Sequence, residues 1–288
     1  MGRLGYLAGH QVLFLAASRR EAYAAEYLAQ EGARAARWPE SCLDLGDIAP
    51  SMVVLPLHIP SEGLAEGPDG EKHDLLSAIQ MSSEQAPLMV VGKGVGAVRE
   101  VVSPQTKLVE VMPRDDFALL NAVPTAEGAM LEAIQASDLT LAWEKNLVLG
   151  YGRVGRVLAL RLRALGADVM VVARSARDLA SARADGMIAA SLDNLAEEVE
   201  DASFVFNSIP ALVMPKGVLA RTRGDAVVID LASSPGGVDF EAAERMGIWA
   251  NLCPALPGRV APRTAGRILA AVLDRIWAEE DSGTPRVP

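Results

Sequence analysis

At 288 residues, half of them hydrophobic and 22% charged, the chain has a globular profile with length for two domains, each able to bury a core. The formal charge of −10 argues against non-specific nucleic-acid binding and against docking on an anionic membrane. Cys42 and Cys253 stand far apart without a C-x-x-C, so no zinc or disulfide framework is expected, and no apolar run approaches the ~18–20 residues of a membrane span.

The first apolar run, Val12–Ala17, is too short for a signal-peptide core and flows into a helical pattern, so it reads as a strand of a cytoplasmic protein. Ser18 offers an N-cap for a helix over Ser18–Gln30, which Gly32 closes. Ala33–Trp38 and Met52–Pro56 read as further strands, His58–Lys72 as a Gly-, Pro- and Glu-rich loop, and Leu75–Gln80 as a short helix. Leu88–Val91 and Lys107–Val111 complete an alternating α/β domain, with Ala16-Ala17-Ser18 rather than glycines after its first strand. Arg114-Asp115-Asp116 then leads through Asn121 to Val123-Pro124-Thr125-Ala126-Glu127-Gly128. Asn121 or Thr125 can cap a helix that runs to about Ser137 and bridges the domains.

The next stretch, Asn146–Ser175, organises the rest of the chain. Leu147-Val148-Leu149 suits a buried parallel strand, and Gly150, Gly152 and Gly155 follow as G-x-G-x-x-G. Val157, Leu158, Leu160, Leu162 and Leu165 recur at helical spacing, Gly166 closes the helix, and Asp168–Ala173 is a second buried strand. Such glycines serve a tight turn, close approach of backbone to pyrophosphate, and packing of helix on strand. The helix N-terminus supplies free N–H groups and a positive dipole end for the phosphates. A carboxylate at the end of the second strand would select NAD; here the chain reads Ala173-Arg174-Ser175, with Arg177 one turn on. Guanidinium and hydroxyl suit a 2′-phosphate, so NADP is expected, with NAD possible; Arg153 adds charge near the pyrophosphate.

Beyond this unit, a helix over Ser175–Asp185, a strand at Met187–Ala189, an acidic helix over Leu192–Glu200 and strands at Phe204–Phe206, Ala226–Ile229 and Ile248–Leu252 alternate. A closing helix spans about Arg263–Ala278. The expected fold class is α/β: two Rossmann-like domains with doubly wound parallel sheets, joined by the bridging helix as in two-domain dehydrogenases. The expected boundaries are 1–122 for an N-terminal, substrate-side domain and 123–280 for an NADP-binding domain that includes the bridging and closing helices. The polar tail 281–288 is expected to be disordered.

Ligands of such sheets bind beyond the carboxyl ends of the strands. The loops 207–210, 230–237 and 253–264 should therefore line the cofactor and face the N-terminal domain across a cleft. The cofactor residues expected are Gly150, Tyr151, Gly152, Arg153, Val154, Gly155, Arg174, Ser175, Arg177, Asn207, Ser208, Ile209, Pro210, Leu231, Ala232 and Ser233. The only histidines are His10, His58 and His73, and the loop 253–264 lacks the His of a 2-hydroxy-acid dehydrogenase. His58, just after a strand end, could face the cleft but reads first as a surface-loop residue. Glu127 is either a first-turn carboxylate favoured by the helix dipole or an acid–base or orienting group, with Thr125 beside it. Arg20, Lys93, Arg114, Arg259 and Arg263 are cationic candidates for a carboxylate substrate; Arg20 and Arg263 stand out because both open helices. The catalytic set is thus Thr125, Glu127, Arg20, Arg114 and Arg263, with no metal.

Several motifs together resemble the dipicolinate synthase A-subunit family of spore-forming bacteria. They are Arg114-Asp115-Asp116, the Asn121–Gly128 run, Val148–Gly155, Asn207–Pro210, Ile229–Gly237 and Leu256–Gly266, in matching order and spacing from about residue 114 to 276. Residues 1–110 match only in outline. The turn after the first strand, Ala16-Ala17-Ser18-Arg19-Arg20, keeps only the final Arg of the family's Gly-Gly-Asp-x-Arg-like turn, and Ser234 stands where the family tends to have Arg. The resemblance implies oxidation of a dihydro- or hydroxytetrahydro-dipicolinate from the lysine pathway to pyridine-2,6-dicarboxylate in sporulation. A hydride would pass to NADP, a proton would leave, and aromatisation would drive the step. It further implies a partner, the flavoprotein-like B-subunit of dipicolinate synthase, and a homo-oligomer is expected. The alternatives are a 2-hydroxy-acid dehydrogenase or adenosylhomocysteinase-like enzyme, and a non-catalytic NADP-binding partner subunit.

Overall fold

The structure is a computed structural model that describes residues 5–40, 45, 49–59, 62–67, 70–94 and 96–281. It divides into two compact units, Met1–Leu120 with Ala261–Pro288, and Asn121–Val260. The residues 282–288 of the expected disordered tail, and Cys42, lie outside the described residues.

The first unit opens with β1 (Gln11–Leu15), α1 (Arg19–Gln30), β2 (Arg34–Trp38) and β3 (Met52–Val54). A hairpin of β4 (Leu64–Glu66) and β5 (Lys72–Asp74) then occupies the stretch read as loop from the sequence. Strands this short carry too little hydrophobic alternation to show in a sequence. After it come α2 (Leu75–Gln85), β6 (Leu88–Val91), α3 (Gly96–Arg99) and β7 (Lys107–Glu110). The parallel sheet is ordered β2-β1-β3-β6-β7. Side chains alternate along β1: Val12 and Phe14 enter the core beneath α1, while Leu13 and Leu15 enter the core beneath α2. The period of two therefore divides one apolar run between both faces of a covered sheet.

The long helix α4 (Asp115–Gln135) begins at the Asp115–Asp116 pair, about two to three turns before the caps expected at Asn121 or Thr125. Acidic residues in its first turn suit the positive end of the helix. Pro124 lies inside it, and with no N–H to offer the Leu120 carbonyl it interrupts the ladder. The boundary between the units falls at that same carbonyl, between Leu120 and Asn121. Phe117 belongs to the first unit's core, whereas Ala126, Ala129 and Ala133 belong to the second's.

The second unit comprises β8 (Lys145–Leu149), α5 (Arg153–Ala164), β9 (Asp168–Ala173), α6 (Ala176–Ala184), β10 (Ile188–Ser191) and α7 (Leu195–Glu198). It continues with β11 (Phe204–Asn207), α8 (Lys216–Leu219), β12 (Val227–Asp230), α9 (Phe240–Met246), β13 (Trp249–Leu252) and α10 (Leu256–Val260). All six strands run parallel in the order β10-β9-β8-β11-β12-β13. This is the doubly wound order whose direction reverses between β8 and β11.

The closing helix, α11 (Pro262–Asp281), returns to the first unit, a correction to the grouping read from the sequence. Ile268, Leu269, Val272, Leu273 and Ile276 join the core beneath α1. Gly266 permits the contact: a Cβ there would lie 2.6 Å from Tyr23 Cβ and 2.7 Å from the Arg20 carbonyl oxygen. Asp274, buried in the same helix, accepts from the Leu7 N–H at 2.8 Å and the Gly5 N–H at 3.1 Å, and so holds the chain's beginning on α11.

Candidate functional site

The glycine loop sits between β8 and α5, and the three glycines have separate tasks. Gly150 takes φ +90°, where a side chain is strained, and a Cβ on it would meet Ser208 Oγ at 2.7 Å. Gly155 packs helix on strand so tightly that a Cβ would lie 2.2 Å from the Gly150 carbonyl oxygen. Gly152 is different: it occupies the N-cap of α5 with φ −76°, and nothing lies within 4 Å of a Cβ built there. No side chain caps α5 at this residue. An uncapped helix start behind a side-chain-free, open backbone is the cradle an anion needs. These residues fit a dinucleotide pyrophosphate.

Register brings the ends of the strands into a row, with Leu149 beside Asn207 and Asn207 beside Asp230. Asp230, fully buried, ties the following loops together. Its Oδ1 accepts from Asn207 Nδ2 at 2.9 Å and the Ala232 N–H at 2.9 Å, and its Oδ2 accepts from the Gly237 N–H at 2.6 Å. Asn207 also bonds the Ile209 backbone in both directions, accepting at 3.0 Å and donating at 3.1 Å. Ser208 Oγ donates to the Leu149 carbonyl at 2.8 Å. The side chains of Asn207 and Ser208, expected at the cofactor, are thus committed to shaping the loops. Ser208 and Ile209 remain part-exposed and Pro210 and Ser233 exposed, with Leu231 half-buried and Ala232 buried. Asp230 escaped the sequence reading; a carboxylate closing a fully buried apolar strand was its signal.

Tyr151 also turns inward. Its hydroxyl donates to Asp185 at 2.8 Å, and burial followed by that carboxylate pushes its pKa up to about 12. Arg156 forks onto the same carboxylate at 2.7 and 3.1 Å, joining α5 to the end of α6. At the end of β9, Arg174, Ser175 and Arg177 are all exposed, and Ser175 Oγ accepts from the Asp178 N–H at 3.0 Å as the cap of α6. Arg153 is exposed and Val154 half-buried at the start of α5. Cys253 is buried after β13, and burial pushes its thiol up to about 11, an unreactive state.

The catalytic candidates are placed less uniformly. Glu127 is exposed in the middle of α4 rather than in its first turn, which removes the helix-dipole explanation for it. Thr125 Oγ1 donates back to the Asn121 carbonyl at 2.8 Å, beside the gap left by Pro124, and so caps nothing. Arg114 is fully engaged: it forks onto Asp116 at 3.0 and 2.8 Å and onto Glu279 at 2.9 Å through both terminal nitrogens. Arg263 is exposed and donates to the Tyr27 hydroxyl at 3.3 Å. Arg114 meets the last turn of α11 and Arg263 its first, positions roughly 24 Å apart at the helical rise, so these two candidates stand at opposite ends of one helix. Arg20 is buried against Glu21 at 3.2 Å. Ser18, expected as an N-cap, donates its hydroxyl to Glu21 Oε2 instead. Among the described residues, no cluster of His, Cys, Asp and Glu is arranged to hold a metal ion, and no helix is long and apolar enough to cross a membrane.

Comparison with known proteins agrees with this geometry. Residues 147–234, from β8 through the loop after β12, match the family described as NADP oxidoreductase, coenzyme F420-dependent. The dipicolinate synthase A-subunit of Bacillus subtilis (strain 168) is 45% identical over 173 residues, 60% of this chain and 58% of that protein, so the match spans less than two thirds of its length. The crystal structure of the dipicolinate synthase A-subunit from Bacillus halodurans superposes with a TM-score of 0.86 and 35% identity over 96% of this chain and all of that one. The corresponding dipicolinate synthase structure from Bacillus subtilis superposes with 0.84 and 30% identity, over 96% of this chain and 99% of that one. Identity at this level, sustained along the whole length of a solved relative and joined to an oxidoreductase-type glycine loop, shows that the chain belongs to the dipicolinate synthase A-subunit family.

Proposed function

We propose that this chain is an NADP-dependent oxidoreductase that converts a dihydro-dipicolinate, or a 4-hydroxytetrahydro-dipicolinate that also loses water, to pyridine-2,6-dicarboxylate. The observation that carries the reading is the open backbone of Gly152 at the uncapped start of α5, at the reversal point of the second sheet. The N–H groups of that first turn hold the pyrophosphate. Arg174, exposed at the end of β9 without a neighbouring carboxylate in sequence, receives the 2′-phosphate, and Arg177 one turn on adds charge. When bound, the nicotinamide supplies a two-electron acceptor for hydride. Asp230 and Asn207 keep the loops beyond β11 and β12 in one shape, so that the site is formed before the ligand arrives. Membership in the family supports the substrate class. A flavoprotein-like partner (the B-subunit of dipicolinate synthase), a homo-oligomeric state and a cytoplasmic, sporulation-linked role belong to the same reading.

The test joins cofactor preference to turnover. A charge-assisted contact is worth ~1.5–3 kcal/mol, so Arg174→Ala should weaken NADP by roughly 10- to 100-fold and leave NAD nearly unchanged. Equal losses for both cofactors would remove Arg174 from the site. Purified chain should also reduce NADP when given the lysine-pathway dihydropyridine dicarboxylate, alone or with the flavoprotein-like partner; no turnover under either condition would refute the reaction.

A further inference from the structure

The parallel sheet of the first unit, β2-β1-β3-β6-β7, reverses its winding between β1 and β3. The chain leaves β1 into α1, on the face shared with α11, and leaves β3 toward α2, on the opposite face. Such a reversal opens a crevice beyond the carboxyl ends of the two strands, where ligands of doubly wound sheets bind. The residues that follow those ends are Ser18, Arg20 and Glu21 after β1, and His58 after β3.

Arg20 is unusual among the arginines of the described residues. Its side chain is only 8% exposed, and that of Glu21 only 2%. Its Nε–H donates to Glu21 Oε1 at 3.2 Å, while among the described residues its two terminal nitrogens have no acceptor. A largely buried guanidinium whose outer fork still reaches solvent has donor capacity that an oxyanion can use. The second feature is independent. Ser18 stands at the N-cap of the 12-residue α1, but its hydroxyl is turned to Glu21 Oε2, so no side chain caps the first turn. His58 is exposed at the rim, near enough that the charges of both Arg20 and Glu21 act on it.

We propose that Arg20, the uncapped first turn of α1 and His58 form an anion subsite within the first unit, which takes one carboxylate of a small cyclic acid. The terminal nitrogens of Arg20 match a carboxylate fork to fork, the helix N–H groups face the same charge, and His58 donates to the outer oxygen. Both oxygens of Glu21 are already engaged, one by Arg20 Nε and one by Ser18, which offsets its repulsion of the ligand. The identity of the acid rests on the proposed function; the subsite stands on the first unit alone.

Calorimetric titration of the full chain without cofactor tests it, using pyridine-2,6-dicarboxylate, pyridine-2-carboxylate, inorganic phosphate and uncharged pyridine as separate probes. At least one of the two carboxylates should bind and pyridine should not. Arg20→Lys should weaken binding about tenfold, since a point charge replaces a fork. Arg20→Gln combined with Glu21→Gln removes the pair without stranding a buried charge, and should abolish binding in a chain that melts like the parent. In the parent, the His58 imidazole resonances should move on saturation, a readout that needs no variant. Arg34→Gln, exposed at the start of β2, should bind like the parent. Parent-like affinity in the double variant, immobile His58 resonances, or no carboxylate binding by the parent would each overturn the subsite. Arg20-dependent binding of pyridine-2-carboxylate but not of the 2,6-dicarboxylate would keep the subsite and refute the dipicolinate reading. NADP-dependent turnover of a dicarboxylate that ignores Arg20 would do the reverse.

Discussion

Gly152 and Gly155 are three positions apart, yet substitution should separate their roles. A side chain at Gly152 enters open space at an ordinary φ, so Gly152→Val should fold and melt like the parent while losing NADP binding. Gly155→Ala must displace backbone, because its Cβ would sit 2.2 Å from the Gly150 carbonyl oxygen. Overpacking of this kind costs about 1–3 kcal/mol, so that variant should lose stability and cofactor affinity together. Thermal melts and NADP titration on both proteins decide the matter; a destabilised Gly152→Val that still binds would contradict the placement. His58 permits a prediction in pH. Its ring keeps one exposed edge but is partly desolvated on the other, and this partial desolvation, then the Arg20 charge, hold its pKa below the ordinary 6.5, with Glu21 opposing. The unfolded chain therefore takes up the proton first as pH falls. The contribution to stability is complete above about pH 6.5 and declines below it toward the folded pKa. Denaturation between pH 7 and 5 should show a shallower acid slope for His58→Gln; an unchanged slope would remove His58 from this environment.

At the scale of elements, the two ends of α11 show which functional readings survive folding. Arg114 joins the first turn of α4 to the last turn of α11 through Asp116 and Glu279, with Arg275 adding to Asp116 at 3.3 Å. A bidentate, half-buried network exceeds the 0.2–1 kcal/mol of an exposed pair, so Arg114→Ala should cost about 1–2 kcal/mol of stability and leave substrate requirement unchanged. Burial alone would raise the Asp116 pKa, but the hydrogen bonds and charge of Arg114 outweigh it and hold the carboxyl low. Its contribution is present above the ordinary carboxylate range and is lost as pH falls through the lowered folded value. Urea unfolding at pH 7 and pH 3.5 should show the Arg114→Ala deficit shrinking at the lower pH, and an equal deficit at both would rule out the network. Local patterns made the glycine loop, β8, α5 and β9 legible, because strand, turn and helix signals there fall within one continuous stretch. The fates of Arg114 and Arg20 were not legible. A guanidinium reads identically whether it meets solvent, substrate or Glu279, a residue 165 positions away.

For the molecule as a whole, the two-sheet α/β architecture followed from the alternation of elements, but the assignment of the closing helix did not. An amphipathic helix at the end of a chain has an apolar stripe without an address, and the shared core with α1 and the close approach of Gly266 to Arg20 and Tyr23 show that α1 receives it. The first unit is therefore discontinuous, residues before Leu120 needing Ala261 onward, whereas the second is one continuous stretch, Asn121–Val260. Its two core faces are built from that stretch alone: Val148, Leu158, Leu162 and Phe206 on one side, Leu147, Val205, Leu219 and Val228 on the other. A fragment of residues 121–260 should then unfold cooperatively and bind NADP, while a fragment of residues 1–120 should not fold, lacking Ile268, Leu269, Val272, Leu273 and Ile276. A ligand that binds only the folded state adds RT ln(1 + [L]/Kd), about 2.7 kcal/mol at a hundredfold excess over Kd, so NADP should raise the melting temperature of the 121–260 fragment. Gly152→Val in that fragment should keep the cooperative transition and lose the NADP shift. A first-unit fragment that folds without α11, or a second-unit fragment that melts without cooperativity, would show that the core assignments are mistaken.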